Sequence, residues 1–289
     1  MIVASAAGGG VDVLVRIIAP KLVELLGQPV IVDNRPGAGG TIGYEQGIRS
    51  APDGYTLTLI TPSYTINPGF YSLKFDPLAD FTPITLVARF PHVIVVHPSL
   101  PARNIRELIA LAKAKPGTIT FGSSGQGTIV HLTTEVFLDR AGIRMTHVPY
   151  RGGAPALTDV IAGQISMVFA TPQSSLPHVK AQRVRALAVT TKERLPAEPA
   201  IPTVAEGGVP GFDMSSWHGL IGPRGLPQAV VERVNHDVGQ VIRMKEVEAR
   251  MQTSGVSPAS STPEELRALI RREVPIWKDV ISRIGVKVE

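Results

Sequence analysis

An α/β fold of two lobes, with mixed and largely parallel sheets covered by helices on both faces, is predicted for this chain by three observations. Strand and helix signals alternate almost from end to end, the pattern of successive βα units. Three strand-to-helix joints carry glycine loops, at residues 6–10, 122–127 and 151–153. The 289 residues, 44% of them apolar, can bury a core larger than one domain of ordinary size requires.

Residues 2–4 form the stub of a first strand, and Ala6, Ala7, Gly8, Gly9 and Gly10 make the loop after it. Val11, Leu14, Ile18, Leu22, Leu25 and Leu26 recur at helical spacing up to Gly27, which serves as the stop. Residues 30–32 read as the next strand, and Asn34 to Gly40 lead into a short helix from Thr41. Residues 56–60 alternate as a strand with Thr61, Pro62, Ser63 and Tyr64 at its carboxyl end. Residues 84–88 and 92–96 are two further strands.

At His97 the register changes. Pro98, Ser99, Leu100 and Pro101 make a turn, and Ile105, Leu108, Ile109 and Leu111 mark a helix stopped by Pro116 and Gly117. Residues 119–121 are a strand, GSSGQG a glycine loop, and 128–138 a helix. Residues 145–148 alternate as a strand before Arg151, Gly152, Gly153, Ala154 and Pro155, after which Ala156, Leu157, Val160 and Ile161 continue as a helix. Residues 165–169 and 183–189 are strands, and a proline-rich loop leads to a return strand at 217–221. Helices follow at 229–241 and 245–253. The last helix has the clearest start, with Thr262 as N-cap, Pro263 at the first position and Glu265 three residues after the cap. Lobe one is therefore read as residues 1–98 and 220–289, and lobe two as 99–219.

The glycine loops carry the chemistry. Each leaves the first N–H groups of a helix unpaired at the positive end of the helix dipole, and glycine lets a ligand approach them closely. With the cation of Arg151 alongside, the third loop is a seat for an anion; an ordinary βα turn is the plainer alternative. Asp12 and Asp159 follow their loops by a few residues, either as helix-start acids or as ligand contacts, while Tyr150 and Trp217 either line a cleft or pack.

Other chemistries are excluded. GSSGQG fails the G-x-S-x-G nucleophile pattern because Gln126 stands where glycine is needed. The 37–43 segment misses G-x-G-x-x-G at Ile42, and no phosphate-binding G-x-x-x-x-G-K-[ST] exists. The seven histidines show no ligand-type spacing and there is no cysteine, so neither a metal nor any other cofactor is expected. A net charge of +5 spread over single Lys and Arg residues, with a pair at Arg271 and Arg272, does not make a nucleic-acid surface. No apolar run reaches the ~20 residues of a membrane span.

Eight segments, AAGGGVDVLVR, GQPVIVDNRPGAGGTIG, APDGYTL, FGSSGQGTIVHL, HVPYRGGAPALTDVIAGQ, RALAVTT, IPTVAEGGVPGF and STPEEL, together resemble the tripartite tricarboxylate transporter receptor family, also called the Bug family, along essentially the whole chain. The resemblance implies a periplasmic solute-binding protein of type II, a monomer of two α/β lobes with a ligand cleft between them, serving a membrane permease. Family members carry a signal peptide and several strand residues ahead of the position of Ile2, so a shortened start is expected here. The family holds its ligand carboxylate with backbone N–H groups and small hydroxyls of the glycine loops, with waters bridging to the first. Carried over, those positions are Ala7, Gly8, Gly9 and Asp12 in lobe one, and Ser124, Gly127, Thr128, Arg151, Gly152, Gly153 and Ala154 in lobe two.

One departure bears on the ligand. Many relatives carry an aspartate after the phenylalanine of the 165–169 strand, implied to face the ammonium of amino-acid ligands, whereas this chain has Ala170. The expected ligand is thus a dicarboxylate, hydroxy acid or aromatic carboxylate, with Ala170, Thr171 and Ser63 lining its far end. The competing readings are a sensor of the same fold signalling to a membrane partner, and a serine hydrolase using Ser123 or Ser124 with His131.

Overall fold

The computed structural model describes residues 1–5, 7–8, 10–150, 152–253 and 256–285. They form two compact units, one of Met1–Phe90 with Trp217–Asp279, the other of Pro91–Ser216 with the chain from Val280 onward. The architecture is α/β, with one mixed sheet in each unit.

In the first unit, β1 (Ile2–Val3) lies between two parallel neighbours, β2 (Asp33–Asn34) and β3 (Thr58–Ile60). The order runs β11-β4-β10-β3-β1-β2, with β4 at Phe81–Phe90, β10 at Ser216–Pro223 and β11 at Ser257–Pro258. The pairing of β10 with β3 and of β11 with β4 is antiparallel, so the later segments turn the sheet into a mixed one. The strand expected at 30–32 lies further on, at Asp33–Asn34. Its extent is set by the short β1, whose Met1 carbonyl accepts from Asp33 N–H and whose Val3 carbonyl accepts from Arg35 N–H.

Side chains of a strand alternate between faces, and this sheet is covered on both. Leu59 and Leu220 join the core formed with α1 (Gly10–Leu26) and α8 (Gln228–Ile242). Their neighbours Ile60 and Ile221 join the opposite core with Tyr44, Tyr64 and Trp217, closed by Leu266 and Ile270 of α10 (Pro263–Ile284). The α10 start is the expected reciprocal box: Glu265 N–H donates to Thr262 Oγ1 at 3.2 Å and Thr262 N–H to the Glu265 carboxylate at 2.8 Å. Helix α2 (Thr41–Ile48) lies against the sheet at Gly47, where a Cβ would come within 1.8 Å of Thr58 Oγ1. Two short elements after β3 and β10 complete this unit: α3 (Ser63–Ile66) and α9 (Lys245–Thr253).

The second unit holds the order β7-β6-β8-β5-β9. Strand β6 (Thr120–Ser123) runs parallel to β7 (Thr146–Pro149) and β8 (Met167–Ala170). Strand β5 (Val93–Val96) is antiparallel to both β8 and β9 (Arg185–Val189). Helices α4 (Ile105–Ala114), α5 (Ile129–Ala141) and α6 (Gly153–Ile161) lie where periodicity placed them. Helix α7 (Pro172–Lys180) was not predicted, because PQSSLPHVK holds two prolines and little apolar periodicity. Pro172 sits at its tolerated start, and the fold accommodates Pro177 in its interior.

Candidate functional site

Parallel neighbours end at the same edge of a sheet, so the loops after them gather there. In the first unit those loops follow β1, β2 and β3 and surround a cavity of about 350 Å³, lined among others by Ser5, Gly37, Gly40, Tyr44, Thr61 and Ser63. The loop after β2 runs through four successive residues at positive φ: Gly37 (126°), Ala38 (45°), Gly39 (63°) and Gly40 (95°). Glycine takes such angles freely, while Ala38 is strained, so the path is imposed by its surroundings. Asn67 supplies part of them, donating from Nδ2 to Gly39 O at 3.0 Å and to Thr41 Oγ1 at 2.9 Å. On the facing wall the Tyr44 hydroxyl lies 3.0 Å from Thr61 Oγ1, which also accepts from Ser63 N–H at 3.3 Å. Ser5 Oγ is buried with no hydrogen-bond partner among the described residues, a polar group available to a ligand.

Of the residues singled out in this unit, Ser63 lines the cavity, while Ala7 and Gly8 are exposed on the loop after β1. Gly9 lies outside the described residues. Asp12 is turned inward. Its carboxylate, 2% exposed, accepts from Gly8 N–H at 2.8 Å, Arg16 Nε at 2.9 Å and Asn34 Nδ2 at 3.0 Å. The Arg16 hydrogen bond first, then those of Gly8 and Asn34, hold its pKa down to about 2 against the desolvation of burial. Asp12 therefore ties the first loop to α1 and β2. Asp12→Ala is expected to lower stability by about 2 kcal/mol in urea unfolding, the worth of two or three such bonds. An unchanged unfolding midpoint would show that the loop holds its shape without the acid. The sequence reading gives no binding role to Ser5 or Tyr44, nor to Thr61 and the 37–40 loop, although three glycines within four residues mark that loop.

In the second unit the loops after β6, β7 and β8 each lead into a helix: α5, α6 and α7. The residues before them, Thr128, Gly152 and Thr171, make no side-chain cap hydrogen bond. The starts of α2 and α8 likewise have no side-chain cap, whereas α4 and α10 are capped by the Asn104 and Thr262 side chains. Three uncapped helix starts with their positive dipole ends thus stand at one edge of one sheet. Gly153 and Ala154 are exposed at the start of α6, and Gly152 has φ 121°. Ala170 ends β8 and is buried, with Thr171 next to it and its hydroxyl 2.9 Å from Ser174 Oγ. Arg151 lies outside the described residues.

The GSSGQG loop is wired internally. Ser124 Oγ donates to Thr128 Oγ1 at 3.1 Å, Thr128 Oγ1 donates to Gly125 O at 2.7 Å, and Gly127 N–H donates to His131 Nδ1 at 3.1 Å. Ser124 and Thr128 are accordingly linked to each other and to Gly125, while Gly127 is tied to His131. Asp159 is engaged too, accepting from the Tyr150 hydroxyl at 2.7 Å, while burial and this carboxylate raise the Tyr150 pKa to about 12. Both acids beside the loops are therefore occupied within the protein.

This geometry does not support the hydrolase. Ser123 pairs with His147 rather than His131, its Oγ 2.7 Å from Nε2, but it is fully buried and also bonded to Gly125. A nucleophile must reach its substrate, and this one has no open side. Ser124 is bonded to Thr128, and His131 accepts from Gly127 instead of a serine.

Comparison with known proteins finds relatives along nearly the whole chain. The model of the tripartite tricarboxylate transporter family receptor matches residues 14–286. BugT of Bordetella pertussis is 35% identical over 292 residues, covering 100% of this chain and 90% of that protein. An R. palustris protein solved with adipate is 34% identical with a TM-score of 0.79, over 99% of this chain and 97% of the other. MatC from Rhodopseudomonas palustris with bound malate is 28% identical with a TM-score of 0.75, over 97% of each chain.

Proposed function

Because this chain belongs to the tripartite tricarboxylate transporter receptor family and is a solute-binding receptor rather than an enzyme, we propose that it captures a small carboxylate lacking an ammonium group in the periplasm and delivers it to that transporter's permease. The observation that carries the ligand chemistry is the set of three uncapped helix starts, α5, α6 and α7, at one edge of the second sheet. A carboxylate there accepts from preset N–H groups, at roughly 1.5–3 kcal/mol net for each charge-assisted bond. Three or four such bonds approach the ~8 kcal/mol of a micromolar complex once ordering costs are met.

The absence of an ammonium group follows from the acids. Asp12 is held by Gly8, Arg16 and Asn34, Asp159 by Tyr150, and β8 ends in Ala170 instead of a carboxylate. A buried ammonium left unpaired keeps its desolvation cost, on the order of several kcal/mol. Relatives solved with adipate and with malate support a dicarboxylate or hydroxy acid as the ligand. No helix among the described residues is long and apolar enough to cross a membrane, as suits a receptor whose transporter is a separate protein.

Calorimetric titration with adipate, malate, benzoate and aspartate tests the reading. Adipate or malate is expected to bind at least about tenfold more tightly than aspartate, equivalent to ~1.4 kcal/mol. Tighter binding of aspartate would sink the ammonium argument. Silence of every carboxylate would sink the ligand class.

A further inference from the structure

The imidazoles of His131, on α5, and His147, on β7, stack face to face with centroids 3.8 Å apart and planes 8° from parallel. Phe121 of β6 stacks on His147 at 4.9 Å and on His131 at 6.2 Å. The pair lies directly beneath the GSSGQG loop and touches it twice: Gly127 N–H donates to His131 Nδ1, and Ser123 Oγ meets His147 Nε2. Ser123 Oγ in turn accepts from Gly125 N–H at 3.1 Å and donates to Gly125 O at 3.0 Å. The backbone at Gly125 and Gly127, with φ of 137° and 73°, is thus pinned from below at two points by one aromatic stack.

The chemistry of the ring defines its state. To accept from Gly127, Nδ1 must be bare, so the proton of a neutral His131 sits on Nε2, which faces Glu135 Oε1 at 3.6 Å on the same helix. Among the described residues, Glu135 faces His131 and the two rings face each other; Phe121 stacks on both, and Ser123 bonds to His147. Two cations could not share so short a stacking distance, and burial together with His131 depresses the pKa of His147 to about 4.

We propose that His131, backed by the His147 ring, is a positioning residue of the carboxylate site: its neutral imidazole, accepting at Nδ1, holds Gly127 and hence the 122–128 loop in the shape an incoming carboxylate requires. This rests on the receptor reading above. Neither histidine contacts the ligand; the gain is preorganisation, because a loop already held at its hydrogen-bonding geometry loses less freedom on binding.

The experiment joins a ligand-free spectroscopic readout to binding, all at neutral pH on the full chain. Nitrogen-15 spectra of the unliganded protein should show His131 protonated at Nε2, with a through-hydrogen-bond coupling between the Gly127 amide and Nδ1. In calorimetry with adipate and malate, His131→Ala is expected to weaken binding about tenfold or more, the worth of one lost hydrogen bond and its loop order. His131→Asn, whose Oδ1 restores an acceptor near the Nδ1 position without the ring, should return affinity to within about threefold of wild type. A merely structural ring would not be rescued by the smaller asparagine, so equal weakening by Ala and Asn overturns the proposal. A Gly127 amide uncoupled from His131, or a proton on Nδ1, overturns it as well, even where a variant fails to fold. If the wild type binds neither dicarboxylate, the ligand class falls, and the spectra alone decide whether His131 holds the loop.

Discussion

Lowering the pH from about 7 to about 5 is expected to destabilise the folded protein by about 3 kcal/mol, read as a fall in the urea midpoint. Three histidines cause it. Burial lowers the pKa of His92 and His218 to about 4, and burial with the neighbouring His131 does the same for His147. The unfolded chain takes up these protons near pH 6.5 and the folded one near 4, so between those values the unfolded state binds more protons. Stability is complete above about 6.5 and is lost as pH falls towards 4. Each fully buried ring contributes about 1–2 kcal/mol at pH 5, and the half-buried His147 less.

Two carboxylates bound this effect. Burial raises the pKa of Glu273, so its contribution is complete at low pH and declines as pH rises through its folded value, opposing the histidines. Asp12, held at about 2, contributes above about 3.8 and is lost below that, outside the histidine window. His218→Gln should flatten the loss between pH 7 and 5 by about a third. A urea midpoint that does not move between the two pH values would show that these rings are solvated in the folded protein.

The second large effect belongs to Glu273. This carboxylate is 7% exposed in the core of the first unit, where it accepts from Thr65 Oγ1 at 2.8 Å, Trp217 Nε1 at 2.9 Å and Trp277 Nε1 at 3.3 Å. It joins α3, β10 and α10 by hydrogen bonds, and α3 begins at the cavity residue Ser63. Glu273→Ala leaves two indole N–H groups buried without an acceptor and opens a void, a loss of about 3–5 kcal/mol. Glu273→Gln keeps one acceptor oxygen but turns an amide N–H₂ towards a donor, for a loss of about 1–3 kcal/mol. Denaturant unfolding of both variants gives the order wild type, Gln, Ala. An alanine variant as stable as wild type would mean that the tryptophans find other partners.

Local signals in the chain determined much of this protein. Helices α1, α8 and α10 were legible because one-face periodicity and the Thr262–Glu265 box act within a few residues. The loops before α5 and α6 were legible for the same reason: a strand pattern, then glycines, then a helical pattern, all within about a dozen residues. Gly152 could thus be named from its loop, whereas Thr128 and Ser63 entered as binding residues only through the family resemblance.

The tertiary structure decided what depends on residues far apart in the chain. The local run VIVV marks β5 as a strand, but only pairing places it antiparallel between β8 and β9, about 75 and 90 residues later. Asp12 sits at a helix start either as a ligand contact or as an internal tie, and Asn34, 22 residues on, meets it from inside. His131 and His147 have no metal-like or catalytic spacing; the packing of α5 on the sheet brings the ring of His131 onto that of His147 in β7, beneath the loop. Glu273 lies 208 residues from Thr65, and no local pattern can announce an acid whose donors the fold alone assembles. Periodicity and capping are short-range and survive in the bare sequence, whereas burial, pairing and the satisfaction of polar groups exist only once distant segments exclude water from one another.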